Sequence, residues 1–130
     1  MRALRASLAA LLALVLSPLT GCASGSSDAG FRRVSASEAQ QMMASEESYV
    51  ILDVRTPGEY ESGHIPDAVN VPNETIGSEA PAVLPDKGQL ILVYCRSGNR
   101  SVQAARKLAG LGYTNVVEFG GINSWPGEIE

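Results

Sequence analysis

The sequence contains few of the side chains from which metal sites and disulfide frameworks are built. Its 130 residues include two cysteines, Cys22 and Cys95, and a single histidine, His64. These are too few for a metal site of the usual ligand count. A glycine-rich nucleotide-binding motif is also missing from the sequence. We therefore expect neither a metal ion nor an organic cofactor.

Positive charge is scarce as well. Ten basic side chains against fourteen acidic ones give a formal net charge of −4 at pH 7. Nucleic acids bind proteins largely through basic surfaces, so an acidic chain of this kind is not expected to bind them. A small anionic substrate would have to be attracted by a local cluster of positive charge.

The longest hydrophobic run, residues 8–16, is too short to span a bilayer but has the length of a signal-peptide core. Arg2 and Arg5 precede it, as in the basic region of a signal peptide. Small residues at positions 20 and 21 then precede Cys22, which resembles a bacterial lipobox, in which the cysteine is acylated and becomes the new N-terminus. The alternative is an ordinary signal peptide followed by an incidental cysteine.

The lipobox interpretation divides the chain into three segments. Residues 1–21 are the predicted signal peptide, residues 22–30 a flexible tether, and residues 31–130 one folded domain. We expect a monomer held by lipid in the bacterial cell envelope. Ala23, rather than aspartate, follows the lipidated cysteine, which favours the outer membrane or periplasmic face in a Gram-negative organism. Cys95 would then be the one free thiol of the mature chain, which excludes an internal disulfide.

Short apolar runs alternate with helical stretches in residues 31–130, a pattern that predicts an α/β fold with a parallel sheet. Capping residues predict two of the helix starts, and an apolar side every three to four residues predicts a third helix. We predict strands at 31–34, 49–53, 68–71, 89–94 and 115–119, helices capped by Ser35 and Thr56, a helix at 101–111, and a weaker helical turn at 79–84.

The loop after the most apolar strand combines a cysteine with a glycine and two arginines. Cys95 follows this strand directly, and ligand sites in open α/β sheets lie at the carboxyl ends of strands. Inward backbone amides, the next helix N-terminus, and the charges of Arg96 and Arg100 would stabilise a thiolate, while Gly98 permits a tight ring. We predict that Cys95 is a nucleophilic thiolate. The alternative is a small, buried and inert cysteine.

The folded region resembles the rhodanese family of sulfurtransferases in three segments. Segment 53–72 resembles the family's N-terminal signature, segment 94–101 its active-site loop, and segment 120–125 its C-terminal segment. The resemblance covers nearly all of residues 31–130. The resemblance implies an α/β, rhodanese-like fold, a five-stranded parallel sheet with helices on both faces.

The resemblance also implies sulfur transfer by double displacement. The Cys95 thiolate would take the outer sulfur of a small anionic donor such as thiosulfate as a persulfide and pass it to cyanide or a thiol acceptor. Four residues separate Cys95 from Arg100, and related folds that act on phosphate or arsenate have a loop one residue longer. The shorter loop favours sulfur transfer over phosphatase or arsenate reductase activity. The residues expected to bind the substrate are Arg96, Ser97, Gly98, Asn99, Arg100 and Ser101.

Other polar or aromatic residues are weaker candidates. Asp53 and Arg55 end a predicted strand, and we expect a supporting salt bridge from them rather than direct chemistry. His64 is expected to be structural, since a thiolate needs no general base. Glu59 is explained as a helix cap, and Trp125 is expected to close the core or the pocket rim. The alternative to an enzyme is a sulfur-carrier or protein-binding module without turnover of its own.

Overall fold

The apolar segments assemble into one sheet. The computed structural model describes residues 26–28 and 30–130, and their strands lie in the order β1-β2-β6-β5-β3-β4. β1 runs antiparallel to β2, and all the other neighbouring pairs are parallel. The predicted five-stranded parallel sheet is thus confirmed, with one strand added at an edge. The bounds are β1 (Ser26–Asp28), β2 (Phe31–Arg33), β3 (Val50–Asp53), β4 (Val69–Asn70), β5 (Ile91–Cys95) and β6 (Val116–Gly121).

Helices cover both faces of this sheet. They are α1 (Ala36–Ser45), α2 (Pro57–Glu61) and α3 (Asn99–Gly110), with 3₁₀ turns at Asn73–Thr75 and Ile122–Ser124. α3 packs on one face, where Ala104, Ala105 and Leu108 join the strand residues of one apolar cluster. α1 and α2 pack on the other face, through Ala39 and Tyr60. β5 lies inside the sheet and is buried along its whole length, so its last residue, Cys95, is held firmly.

The capping residues begin the first two helices as predicted. The Ser35 hydroxyl accepts from the Glu38 N–H over 3.1 Å. Thr56 and Glu59 form a reciprocal capping box with Pro57 at the first helical position of α2. α3 begins at Asn99, two residues before the predicted start, because Gly98 reverses the chain with a φ of +114° and the helix follows at once.

Two features differ from the expectation. The predicted helical turn at 79–84 is wrong: this segment holds only bends and a turn, since Pro81 and Pro85 restrict the chain on either side of the buried Leu84. Ser26–Asp28, inside the segment expected to be a flexible tether, forms β1 on the open edge of β2. Its polar composition does not predict a strand, and the pairing is provided by the unpaired backbone groups of that edge.

The predicted signal peptide, Cys22 and residues 23–25 and 29 of the tether lie outside the described residues. In the ranges that are described, no helix combines the length and the apolar character needed to cross a membrane.

Candidate active site

Cys95 is the last residue of β5, and its side chain is enclosed by the loop that follows. The Gly98 N–H donates to Sγ over 2.9 Å, and Sγ lies 3.4 Å from the Ser101 hydroxyl oxygen. The sulfur therefore sits inside a ring of donors at the N-terminus of α3, where the helix dipole also favours negative charge.

The acidity of the thiol reflects two opposed effects. Burial raises the pKa of Cys95, because it disfavours the charged form. Hydrogen bonds from the Ser101 hydroxyl and from the backbone N–H groups of Ser101, Gly98 and Ser97 lower it. The hydrogen bonds prevail, and the pKa of the thiol lies below its ordinary value. Such a cysteine has the nucleophilic form available near neutral pH.

The two glycines at the end of β6 allow the loop to close. A Cβ on Gly121 would lie 2.1 Å from the carbonyl oxygen of Arg96, so that only glycine fits this approach. The same carbonyl accepts from the Asn123 N–H over 3.2 Å. Gly120 has a φ of +92°. The third motif of the sequence therefore forms the back wall of the cysteine loop.

Arg100 is bound by a carboxylate rather than left open for a substrate. Its guanidinium donates twice to Glu59, over 2.7 and 2.9 Å. These hydrogen bonds lower the pKa of Glu59 to about 2, although the partial burial of the carboxyl opposes them, and Thr56 adds further donors. The interpretation of Glu59 as a cap alone is incomplete: it caps α2 and also holds the active-site arginine from across the cleft.

The other loop side chains face outward. Arg96, Ser97 and Asn99 are exposed, and Ser101 is fully buried beneath Sγ. Arg96 makes no ion pair with any residue of the described ranges. The positive charge that can meet an incoming anion is therefore mainly that of Arg96.

Asp53 and Arg55 form a buried brace behind the loop. The Arg55 guanidinium donates to Asp53 Oδ2 over 2.7 Å and to the Gly63 carbonyl, also over 2.7 Å. The Tyr94 hydroxyl donates to the same Asp53 oxygen over 2.6 Å and accepts from the Ile65 N–H over 3.1 Å. Tyr94 directly precedes Cys95, so this network fixes the end of β5 that presents the thiol.

His64 and Trp125 take part in packing. The His64 ring stacks on Tyr60 with 3.8 Å between centroids, and its Nδ1 lies 2.9 Å from the Tyr60 carbonyl oxygen. Trp125 packs against Phe119 in the cluster on the α1 face, whereas Cys95 belongs to the cluster on the α3 face. Trp125 therefore closes the core and does not line the thiol pocket.

Three residues near the site are missing from the sequence-based set. Glu59, Tyr94 and Glu118 each contact a site residue that is remote in sequence or belongs to another element. A tyrosine inside an otherwise apolar strand could have indicated a buried hydrogen bond, since a buried hydroxyl needs a partner. A glutamate in the apolar strand β6 could likewise have indicated a buried carboxylate that needs hydrogen-bond partners.

The three motifs, the parallel sheet and the cysteine loop have a counterpart among protein families. Residues 35–128 match the family model described as "Rhodanese-like domain". The chain belongs to the rhodanese-like family. The resemblance found from the motifs is confirmed. Relatives of the chain are named as sulfurtransferases or as a sulfur carrier, which is consistent with sulfur transfer by a rhodanese module.

Relatives of this rhodanese-like chain differ in length and in name. Thiosulfate sulfurtransferase GlpE of Pseudomonas syringae is 36% identical over 96 residues, which cover 73% of this chain and 87% of GlpE. YrkF of Bacillus subtilis, provisionally named a sulfur carrier protein, is 36% identical over 92 residues, 70% of this chain and 49% of YrkF. The adenylyltransferase and sulfurtransferase UBA4 of Candida albicans is 34% identical over 105 residues, 75% of this chain and 24% of UBA4. The chain thus spans only about half of YrkF and a quarter of UBA4.

A solved structure agrees with this assignment. A rhodanese with anions from E. coli superposes with a TM-score of 0.59 at 31% identity, covering 64% of this chain and 98% of the other.

Proposed function

We propose that this protein is a thiosulfate-type sulfurtransferase that works through a persulfide on Cys95. The observation that carries the proposal is the position of Sγ at the carboxyl end of β5, where the Gly98 N–H and the Ser101 hydroxyl meet it. The same donors that lower the pKa of the thiol are placed to stabilise an anionic sulfur attached to it.

The first half-reaction forms one sulfur–sulfur bond and breaks another. The Cys95 thiolate attacks the outer sulfur of thiosulfate, and sulfite leaves with the electron pair of the bond that breaks. In the second half-reaction cyanide or a thiolate attacks the outer sulfur of the persulfide, and Cys95 leaves as a thiolate. No electrons are exchanged with an external oxidant or reductant.

The arginines of the loop have different roles in this proposal. Arg96 is exposed and unpaired with any described carboxylate, and it attracts the anionic donor. Arg100 is held by Glu59, and it positions the loop while adding positive charge close to Cys95.

A sulfur-carrier function is the second candidate. The Glu59 carboxylate neutralises part of the charge that an anionic donor would meet, which favours delivery of sulfur by another protein over capture of free thiosulfate. The similarity to YrkF supports the same alternative.

One assay separates the two candidates. The purified protein is incubated with thiosulfate and cyanide, and thiocyanate is measured. The enzyme proposal predicts turnover that is lost in Cys95→Ala and retained in Glu47→Gln, an exposed residue of the loop before β3. Folded protein that forms no thiocyanate would contradict the enzyme and leave the carrier.

We also propose that the chain is anchored by lipid on Cys22 in the bacterial cell envelope. The basic residues, the apolar run and the small residues before this cysteine support the proposal. Expression in bacteria fed a tagged fatty acid should label the protein in the membrane fraction, and Cys22→Ala should remain unlabelled. Equal labelling of both forms, or of neither, would contradict it.

A further inference from the structure

Glu118 is a buried carboxylate that the sulfur-transfer steps above do not use. Its side chain is 2% exposed and lies in β6 beside the start of α3. Oε1 accepts from the Ser101 hydroxyl over 2.7 Å and from the Gly120 N–H over 2.8 Å, while Oε2 accepts from the Arg33 guanidinium over 3.2 Å. Because the Ser101 oxygen also lies 3.4 Å from the sulfur of Cys95, this carboxylate is one hydroxyl group away from the nucleophile.

The Ser101 hydroxyl has one hydrogen and several acceptors around it. Besides Glu118 and Cys95, the carbonyl oxygens of Gly98 and Gly120 lie 3.0 and 3.3 Å from its oxygen. The hydrogen is donated well to only one acceptor at a time. The shortest of these distances is that to Glu118. When Cys95 is a thiol, the ionised carboxylate is also the strongest acceptor, because the other three groups are neutral.

The direction of this hydrogen depends on the state of the sulfur. While the Ser101 hydroxyl donates its hydrogen to Glu118, a lone pair of the Ser101 oxygen faces Cys95. The S–H of a thiol can then donate to this oxygen. A thiolate instead requires a hydrogen that points at the sulfur. Cys95 and Glu118 therefore compete for one hydrogen, and their two negative charges disfavour each other across a buried hydroxyl.

We propose that Glu118 is a positioning residue that controls the ionisation of Cys95 through Ser101. As the thiol loses its proton to solvent, the hydroxyl hydrogen of Ser101 turns from Glu118 to the sulfur. Glu118 keeps the donors of Gly120 and Arg33. The hydrogen that stabilises the thiolate is thus taken from the carboxylate.

Charged side chains of β2, α2 and α3 surround the unit formed by Cys95, Ser101 and Glu118. Arginines keep their charge throughout the range in which a thiol ionises. The surrounding charges are Arg33 of β2 on Oε2, Arg106 of α3 in the same groove as Arg33, and Arg100 of α3 near Cys95 with its partner Glu59 of α2.

The proposal rests on Cys95 as the nucleophile of the proposed function, yet its test needs no sulfur donor. Thiolate formation is followed by ultraviolet absorbance against pH in the full-length protein, with Cys22→Ser in every sample so that Cys95 is the thiol observed. The pH midpoint of thiolate formation is compared between variants, and a failure of thiocyanate formation would leave this comparison intact.

Glu118→Gln keeps an amide oxygen as an acceptor for Ser101 and Gly120 but carries no negative charge. Its thiolate should form roughly one to two pH units lower than that of the unsubstituted site, because the competing and repelling charge is removed. Glu47→Gln is the matched control, since Glu47 is exposed in the loop before β3, at the opposite end of the parallel strands from Cys95, and should leave the curve unchanged.

Ser101→Ala separates a role through the hydroxyl from a role of charge alone. In the Ser101→Ala background, Glu118→Gln should move the curve by less than half as much. An equal shift in both backgrounds, or a Glu118→Gln curve identical to that of the unsubstituted site, would overturn the proposal. If Glu118→Gln does not fold by circular dichroism, Ser101→Ala alone decides: a thiolate midpoint displaced to higher pH supports the role of the hydroxyl, and an unchanged midpoint overturns the proposal.

Discussion

Around Cys95, single side chains from separate elements determine how the thiol behaves. The donors of its own loop could be predicted from the sequence, because a glycine, two arginines and a helix start follow the cysteine within a few residues. Glu59 and Glu118 could not be predicted, since α2 and β6 approach the loop only after the chain has folded. At the residue scale, sequence reasoning finds the candidate thiol and its local donors but not the carboxylates that contact Arg100 and Ser101.

Glu59→Gln tests the ion pair with Arg100. The pKa of Glu59 is about 2 in the folded protein, below its ordinary value, so the pair stabilises the fold at pH values above about 4.5 and this contribution is lost as the pH falls toward 2. The urea-unfolding free energy of Glu59→Gln should be lower at pH 6 by on the order of 1 kcal/mol, since the pair is partly exposed, and this difference should shrink at pH 2–3. A difference that does not change with pH would contradict the role of the ion pair.

Tyr94→Phe tests the brace behind the thiol. The substitution removes the hydroxyl that Asp53 and the Ile65 N–H share, and we expect a loss of about 1–3 kcal/mol in unfolding free energy together with slower alkylation of Cys95. Tyr113→Phe is the control, because Tyr113 is also buried and its hydroxyl donates only to the Leu84 carbonyl. It should cost less stability and leave the alkylation rate unchanged. Equal effects of both substitutions on alkylation would show that Tyr94 has no special role at the site.

At the scale of elements, caps and apolar patterns predicted α1, α2 and the parallel strands. The start of α3 was displaced by two residues because the left-handed Gly98 begins the helix earlier than its apolar side indicates. The predicted helical turn at 79–84 is wrong because Pro81 within the segment and Pro85 directly after it have no backbone N–H to donate to a helix. Ser26–Asp28 pairs with β2 because no other described strand lies on that edge of β2. No local sequence pattern reveals this pairing.

Gly121→Ala tests the contact between β6 and the cysteine loop. Its Cβ would collide with the Arg96 carbonyl, so the loop or the strand must move. We expect a loss of several kcal/mol in stability or a shift of the loop that removes most thiol reactivity. Gly110→Ala is the control: nothing lies within 4 Å of a Cβ there, and alanine at the end of α3 should be neutral or stabilising by up to about 1 kcal/mol. Unchanged stability and reactivity in Gly121→Ala would refute the close approach.

For the molecule as a whole, the order of the three motifs was sufficient to predict the family and the sheet. The loop of this acidic chain holds one exposed arginine and one that is bound by a carboxylate, so an anionic donor of the proposed reaction would meet only a local positive field. The topology explains why few charged side chains are needed, because the carboxyl ends of the parallel strands β3, β5 and β6 all lie on the same side of the sheet.

The central claim is that Cys95 accepts a sulfur atom. Full-length protein carrying Cys22→Ser is incubated with thiosulfate, digested without reductant and analysed by mass spectrometry. We predict that the peptide containing Cys95 gains the mass of one sulfur atom, that cyanide removes it, and that the peptide of Cys95→Ser gains nothing. A folded protein whose Cys95 remains unmodified by thiosulfate and by a persulfide donor alike would contradict the account.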